Sequence, residues 1–251
     1  MDRLIYTAYS GMTASLVRER VIASNMANTQ TTGFRADMLN GVPMTLKGPA
    51  LEARAMTQDF VHASNMKQGT VVPTGNPLDV ALTGTALLAV QAPDGSEAYT
   101  RRGDLSVNPD GLLLNGDGRP VIGDGGPVTV PVEGKITISP DGSVMASDPQ
   151  NPAAIPQVIA RIKLVSTEGS QVGKGLDGLF RVTGANGTIG ALPQDEEAKL
   201  VPGSLEQSNV DPTQVLVEMV EAQRLFDMRT KLIATAREVD EQSTSLMRLP
   251  S

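Results

Sequence analysis

The chain has no cysteine and no tryptophan, a single histidine, and aromatic residues at only 3% of its 251 positions. The missing cysteine excludes disulfides, thiolate metal sites and cysteine nucleophiles at once. A lone His62 would leave a transition-metal site to carboxylates, and none cluster suitably, so no metal or cofactor is expected. Scarce aromatics make whatever core forms an aliphatic one. No run of Lys and Arg occurs, and 21 basic against 28 acidic residues give a net charge of −7. That balance argues against a nucleic-acid partner, which ordinarily meets a basic face. No apolar stretch approaches the roughly 18 residues a membrane-spanning helix needs. The opening MDRLIYTAYSGMT carries Asp2 and only Leu4, Ile5 and Tyr6 as a continuous apolar run, so no cleavable signal peptide is expected.

Glycine (25) and proline (17) are present in strength, about a sixth of the chain, against an ordinary share of about 12%. Many turns, and hence many short strands, follow. Pro-Asp-Gly occurs at 93–95, 109–111 and 140–142, each beside apolar or alternating segments. Asp-Gly suits tight reversals because glycine accepts positive φ without steric cost. Strands are predicted at 78–83, 86–92, 97–101, 104–107, 111–115, 119–122, 127–130, 135–138, 143–146, 158–166 and 179–183.

The two ends read as helix. Ile5, Tyr9, Met12 and Leu16 alternate spacings of four and three, a coiled-coil-like seam that Ala23 and Met26 continue after Glu19. Gly11 inside that pattern costs roughly 1 kcal/mol relative to Ala, so this helix needs a partner. Near the other end, Asp211 can cap a helix that has Pro212 at its first position. Leu216, Met219, Val220, Phe226 and Ile233 then form a stripe that Gln223, Thr230 and Arg237 interrupt. A helix over about 212–247 would run roughly 50 Å, and a lone helix with so broken a stripe is marginal in water. It either folds back on a core or pairs with the N-terminal helix or a neighbouring copy, and pairing is favoured. The expected class is α+β. Residues 1–37 hold the N-terminal helix and a joint, 38–77 an extended connector, 78–205 a β-rich central domain, and 206–251 the C-terminal helix.

Catalytic chemistry finds little support. His62 stands in a polar segment with no second histidine. GKGLDG at 173–178 spells a phosphate-binding pattern but lies between strands, whereas that motif opens a helix. NPDGLLLNGDGRP invites calcium, yet from Asn108 the fifth position is Leu112 and the twelfth Arg119, where oxygen ligands would be needed. RGD at 102–104 carries no weight as an adhesion signal. Glu196-Glu197 and Asp240-Glu241 are adjacent pairs pointing different ways. No catalytic residue is assigned.

Several long motifs occur in order: MDRLIYTAYSGM, ASNMANTQTTGFRAD, NPLDVAL, YTRRGDLSVNPDGLLLNGDGRPVIG and LEQSNVDPTQVLVEMVEAQRLFDMRTKLIAT. In this order they resemble the bacterial flagellar rod and hook family, and the likeness covers nearly the whole chain. The opening MDRLIYTA and the length look most like proximal-rod members, with distal-rod and hook paralogues as the alternatives within the family.

The resemblance implies a structural, non-enzymatic subunit of the basal-body rod in the periplasm. Such a subunit passes unfolded through the flagellar export apparatus and stacks with copies of itself and with other proximal and distal rod proteins. Its terminal helices would line the tube, with the β-rich domain outside. Residues Ile5, Tyr9, Met12, Leu16, Met26, Leu216, Met219, Val220, Phe226 and Ile233 are then the expected assembly interface. Ordering the helices only when a neighbour is present would keep the monomer soluble. The family pattern ANxxTxGF maps onto Ala27, Asn28, Thr31, Gly33 and Phe34, and SNVD onto Ser208, Asn209, Val210 and Asp211. The first is expected to stop the helix, with Thr29, Thr31 and Thr32 as poor continuers and Gly33 at a C′ position of positive φ. A rival class remains, a binding module whose β domain holds a ligand while the helices dimerise it.

Overall fold

A computed structural model describes residues 2–45, 55–132, 134–147, 155–168, 170, 172–183 and 189–247. In chain order, helix α1 (Asp2–Ala27) is followed by strands β1 (Asp37–Thr45), β2 (Ala55–Ser64), β3 (Val71–Pro73), β4 (Val80–Leu82) and β5 (Ala86–Gln91). Next come β6 (Glu97–Thr100), β7 (Leu105–Val107), β8 (Leu113–Asn115), β9 (Ile122–Gly123), β10 (Gly126–Pro127), β11 (Lys135–Ile138) and β12 (Ser143–Ser147). The chain continues through β13 (Gln157–Arg161), β14 (Leu164–Ser166), β15 (Val172–Lys174), β16 (Phe180–Thr183) and β17 (Ile189–Gly190). It ends with β18 (Leu200–Pro202), β19 (Ser204–Glu206) and helix α2 (Pro212–Met247). The class is α+β, with a β-rich body and one helix near each end.

Two units emerge. The first contains Met1–Ala27, Asp37–Ala63 and Asp211–Ser251; the second contains Asn28–Ala36 and Ser64–Val210. In the first, α1 and α2 pack on each other, and β1 and β2 form a two-stranded sheet. The start of α2 follows from local chemistry. Asp211 Oδ1 accepts the N–H groups of Thr213 (2.8 Å) and Gln214 (3.3 Å), which a helix leaves unpaired at its first turn. Pro212, with no N–H to satisfy, occupies the first helical position.

In the second unit the largest sheet runs β14-β5-β6-β16-β15, with β17 added on β16. A three-stranded sheet runs β11-β12-β13, and two-stranded ladders join β7 to β8, β9 to β10, β4 to β18 and β3 to β19. The last two ladders matter most here, because they tie the end of the unit to its beginning. All three Pro-Asp-Gly sites turn as expected, with Gly95, Gly111 and Gly142 at φ of 81°, 79° and 85°. One pair of backbone bonds recurs in each, as in Gly95 N–H to the Ala92 carbonyl (2.9 Å) and Ala92 N–H to the Ser96 carbonyl (2.8 Å). The same pair closes the 115–119 turn and the GKGLDG turn, where Gly178 N–H donates to the Gly175 carbonyl (3.1 Å). GKGLDG is therefore a hairpin between β15 and β16.

The core of the second unit is mainly aliphatic. Val80, Leu82, Leu88, Val90, Leu113, Val121, Val144 and Ile162 are buried in one cluster, while Leu87, Tyr99, Val165 and Phe180 anchor a second. The Tyr99 hydroxyl donates to Glu97 (2.7 Å) and accepts the Leu192 N–H (2.6 Å), and burial pushes its pKa up.

The structure departs from the sequence reading in several places: of the predicted strands 119–122 and 127–130 only Ile122 and Pro127 lie in strands, β9 and β10, while Pro120, Val121 and Thr129 form isolated bridges. The run 158–166 is two strands in different sheets. At Ile162 the chain leaves β12 for an isolated bridge with Gly123, and the β12–β13 register shifts between Val144 and Met145. The segment 38–77 holds β1, β2 and β3, and not only extended chain. β18 and β19, three residues each, are too short to show a period. They are defined by their partners β4 and β3 and by the turn at Gly203, whose φ is 69°.

Candidate functional site: the joint and the terminal helices

The stretch SNMANTQTTGFRAD places its side chains at both of its ends. In the first unit Asn25, buried on α1, exchanges two hydrogen bonds with the backbone of Asp37. Its Nδ2 donates to the Asp37 carbonyl (3.0 Å), and the Asp37 N–H donates to Asn25 Oδ1 (2.8 Å). Ser24 Oγ donates to Asp37 Oδ2 (3.2 Å). The start of β1 is thereby fixed on the last turns of α1.

Residues 28–36 belong to the second unit and line its closing edge. The helix ends at Ala27, and Thr31 Oγ1 donates to Asn28 Oδ1 (3.0 Å) while its N–H donates to the Asn28 carbonyl (3.2 Å). Phe34 N–H then donates to the Thr31 carbonyl (3.2 Å), closing a turn that contains Gly33 at φ 67°. The positive φ expected of Gly33 is present, but its place is different. Gly33 lies beyond the helix terminus in a separate turn, and its Cα faces backbone: a Cβ there would stand 2.4 Å from the Arg101 carbonyl oxygen.

Asn209 organises this edge. Its N–H donates to the Phe34 carbonyl (3.3 Å), its Oδ1 accepts the Ala36 N–H (2.7 Å), and its Nδ2 donates to the carbonyls of Asn65 (2.7 Å) and Lys67 (2.8 Å). Asn65 N–H donates to the Ala36 carbonyl (2.8 Å), and Gly33 N–H to the Glu206 carbonyl (2.7 Å). Three segments far apart in sequence therefore meet on one carboxamide. Ser208 Oγ accepts the Val210 N–H (3.3 Å), and Val210 is buried. Phe34 is half-buried, with Lys174 Nζ 3.6 Å from its ring centroid.

Beneath the edge lies an ion triad. Glu206 Oε1 pairs with Arg35 Nη1 (2.8 Å) and Oε2 with Arg101 Nη2 (2.6 Å), with no side chain more than 1% exposed. Glu206 Oε1 also accepts the Gly69 N–H (2.7 Å). Burial and the neighbouring Arg101 charge bring the Arg35 guanidinium down to about 10, and burial lowers Arg101 as well. None of Arg35, Arg101 or Glu206 stands out in the sequence. All three lie inside the quoted motifs, yet a charged residue in a string does not announce that it will be buried.

On the helices, the exposed members of the expected interface are Tyr9 (69%), Leu16, Leu216 and Val220, and Met12, Met26, Met219, Phe226 and Ile233 are half-buried. Ile5 lies in α1, and its side chain is outside the described residues. Among the described residues the buried helix positions are others: Ser15, Ile22 and Asn25 on α1, Val215 and Ala222 on α2. Arg229 reaches from α2 to the Gly11 carbonyl and Ser15 Oγ, over the bare Cα of Gly11.

Elsewhere the chemical alternatives lack a constellation. Arg102 of the RGD triplet is occupied by Asp104 (2.8 Å) and Asp117 (2.6 Å). Among the described residues no group of three potential metal ligands occurs, and no helix is long and apolar enough to cross a membrane. The side chain of His62 is outside the described residues.

In chain order a helix, a β-rich stretch and a second helix follow one another, and comparison with known proteins gives the class of protein this order belongs to. Three family models match: Flagella basal body rod protein over residues 5–35, Flagellar hook protein FlgE/F/G D1 domain over 81–146, and Flagellar basal body rod FlgEFG protein C-terminal over 201–246. The flagellar basal-body rod protein FlgF of Salmonella typhimurium strain LT2 is 40% identical, covering 98% of this chain and 99% of its own. FlgF of Escherichia coli K12 is 38% identical, covering 94% of each. The rod protein FlgG of Caulobacter vibrioides is 32% identical, covering 96% of this chain and 98% of its own. The chain belongs to the flagellar basal-body rod family. It is a structural rod component, not an enzyme, and among these three relatives its similarity is greater to the two FlgF proteins.

Proposed function

We propose that this chain is a proximal-rod subunit that polymerises through its terminal helices, with copies of itself and with other proximal and distal rod proteins. The helices pair in a coiled-coil-like arrangement and form the wall of the axial channel, while the β-rich unit faces outward in the periplasm. Delivery is through the flagellar export apparatus, before folding. The interface is Ile5, Tyr9, Met12, Leu16, Met26, Leu216, Met219, Val220, Phe226 and Ile233.

The observation that carries this reading is the exposure left on the helices. Tyr9, Leu16, Leu216, Val217, Val220 and Leu232 stay exposed, although α1 and α2 already pack on each other. Burying that surface between subunits would stabilise an assembly by about 25 cal/mol per Å² of apolar area, less the entropy of ordering the side chains. The exposed positions differ from the buried ones, Ser15, Ile22, Asn25, Val215 and Ala222, so one helix can serve a partner within the chain and another outside it.

The test is Leu216→Glu with Val220→Glu, scored for incorporation into rods and for motility. Loss of both, with the monomer's circular dichroism unchanged, is expected. Normal rods and swimming in that variant would remove α2 from the interface.

A further inference from the structure

The buried triad beneath the joint is unbalanced in charge and in hydrogen bonding. Two guanidinium groups share one carboxylate, all of them shielded from water. Arg101 is fully served: Nε and Nη2 donate to Glu206 Oε2 (2.9 and 2.6 Å), Nη2 also to the Leu82 carbonyl (3.0 Å), and Nη1 to the carbonyls of Gly84 (3.0 Å) and Ala86. Arg35 is not. Its Nη1 reaches Glu206 Oε1 and the Lys67 carbonyl, while Nε and Nη2 are buried with no acceptor. Those two nitrogens carry three of the five guanidinium N–H groups.

This asymmetry sets what happens if residues 28–36 lift away. Glu206 keeps Arg101 on Oε2 and the Gly69 N–H on Oε1, so no carboxylate is left buried alone. Arg35 recovers water for donors that burial leaves unserved, a gain because unsatisfied buried donors carry their full desolvation penalty. Opposing release are the Gly33, Ala36 and Asn209 N–H bonds, the Asn65 bond to Ala36, Lys174, which donates to the Arg35 carbonyl (3.1 Å), and the two contacts of Arg35 Nη1 itself, to Glu206 Oε1 and the Lys67 carbonyl. Buried ion triads are often no more stable than apolar replacements.

We propose that residues 28–36 form a releasable clasp, opening as one piece while the sheets of the second unit remain folded, and that Arg35 keeps the closed clasp below the stability its other bonds would confer.

Native-state hydrogen exchange on the full-length monomer tests this, and its readout does not depend on rod incorporation. In the wild type, the amides of Gly33, Ala36 and Asn209 should exchange about tenfold or more faster than those of Leu113 and Val121, which are fully buried and donate to the Val128 and Leu113 carbonyls. Arg35→Met should slow the clasp amides and leave Leu113 and Val121 unchanged, whereas Arg101→Met should speed exchange throughout. Equal wild-type rates at the two sets would overturn the proposal, as would faster clasp exchange, or failure to fold, in Arg35→Met. Clasp protection that rises in sodium chloride over sodium gluconate at equal ionic strength would also overturn it, by showing that the free donors hold an ion.

Discussion

Gly33→Val is the sharpest perturbation, because two separable penalties fall on one residue. Gly33 holds φ of 67°, and an L side chain in that left-handed region costs roughly 1–2 kcal/mol. A Cβ would also stand 2.4 Å from the Arg101 carbonyl oxygen, 2.5 Å from its carbon and 2.6 Å from the Arg102 nitrogen. These are backbone atoms that cannot rotate aside, and forcing extra groups into packed surroundings typically costs about 1–3 kcal/mol. Gly75 provides the control: its φ is 78°, but a Cβ there meets nothing within 4 Å. Gly75→Val therefore bears the conformational penalty alone, and the difference between the two variants isolates the clash.

The clash has an outlet. Once it exceeds the cost of releasing residues 28–36, the segment detaches and the sheets stay folded. Relative to Gly75→Val, the Gly33 variant should lose a further ~1–3 kcal/mol, a fall in Tm of roughly 2–12 °C at ~2–4 °C per kcal/mol for a chain of this size. If release caps the loss, the fall sits at the low end of that range and the Ala36 amide loses its protection. Calorimetry with hydrogen exchange reads both. Equal Tm and equal Ala36 protection in the two variants would refute the account of Gly33. Rod assembly should fail in Gly33→Val and persist in Gly75→Val.

Two further outcomes follow from single side chains. Asn209→Ala strands the Ala36 N–H and removes a donor from the Asn65 and Lys67 carbonyls; at about 1 kcal/mol per bond it should cost ~2–4 kcal/mol in urea denaturation, with Asn209→Asp costing at least as much, because its second oxygen would face the two carbonyls that Nδ2 serves. The Asp177 carboxyl is held below the usual range, chiefly by hydrogen bonding from Arg181. As the stronger acid in the folded state, it contributes stability that is complete above the unfolded value near 3.9 and is lost as pH falls through the folded value. Acidification should therefore loosen the β15–β16 hairpin, seen in the Phe180 amide signal, and Asp177→Asn should abolish that pH dependence.

Local chemistry alone determines much of this protein. The start of α2 is written in Asp211-Pro212, because a cap needs only the residues beside it. The Pro-Asp-Gly turns are written in glycines that must take positive φ, and the absence of cysteine closes whole classes of chemistry. Family membership was legible for the same reason: motifs such as ASNMANTQTTGFRAD and LEQSNVD are long and contiguous. What the string left open depends on partners distant in sequence. β18 and β19 are strands only because β4 and β3 lie beside them. Ile162 divides a run that reads as one strand, since its backbone is claimed by Gly123 and Gly142. Gly33 was expected to end a helix; instead its missing side chain makes room for the backbone of Arg101. The Arg35–Glu206–Arg101 triad is the clearest case. Three ordinary charges spread over more than half the chain become one buried cluster only when tertiary packing removes water from all of them, and no pattern of neighbours in the sequence encodes that removal.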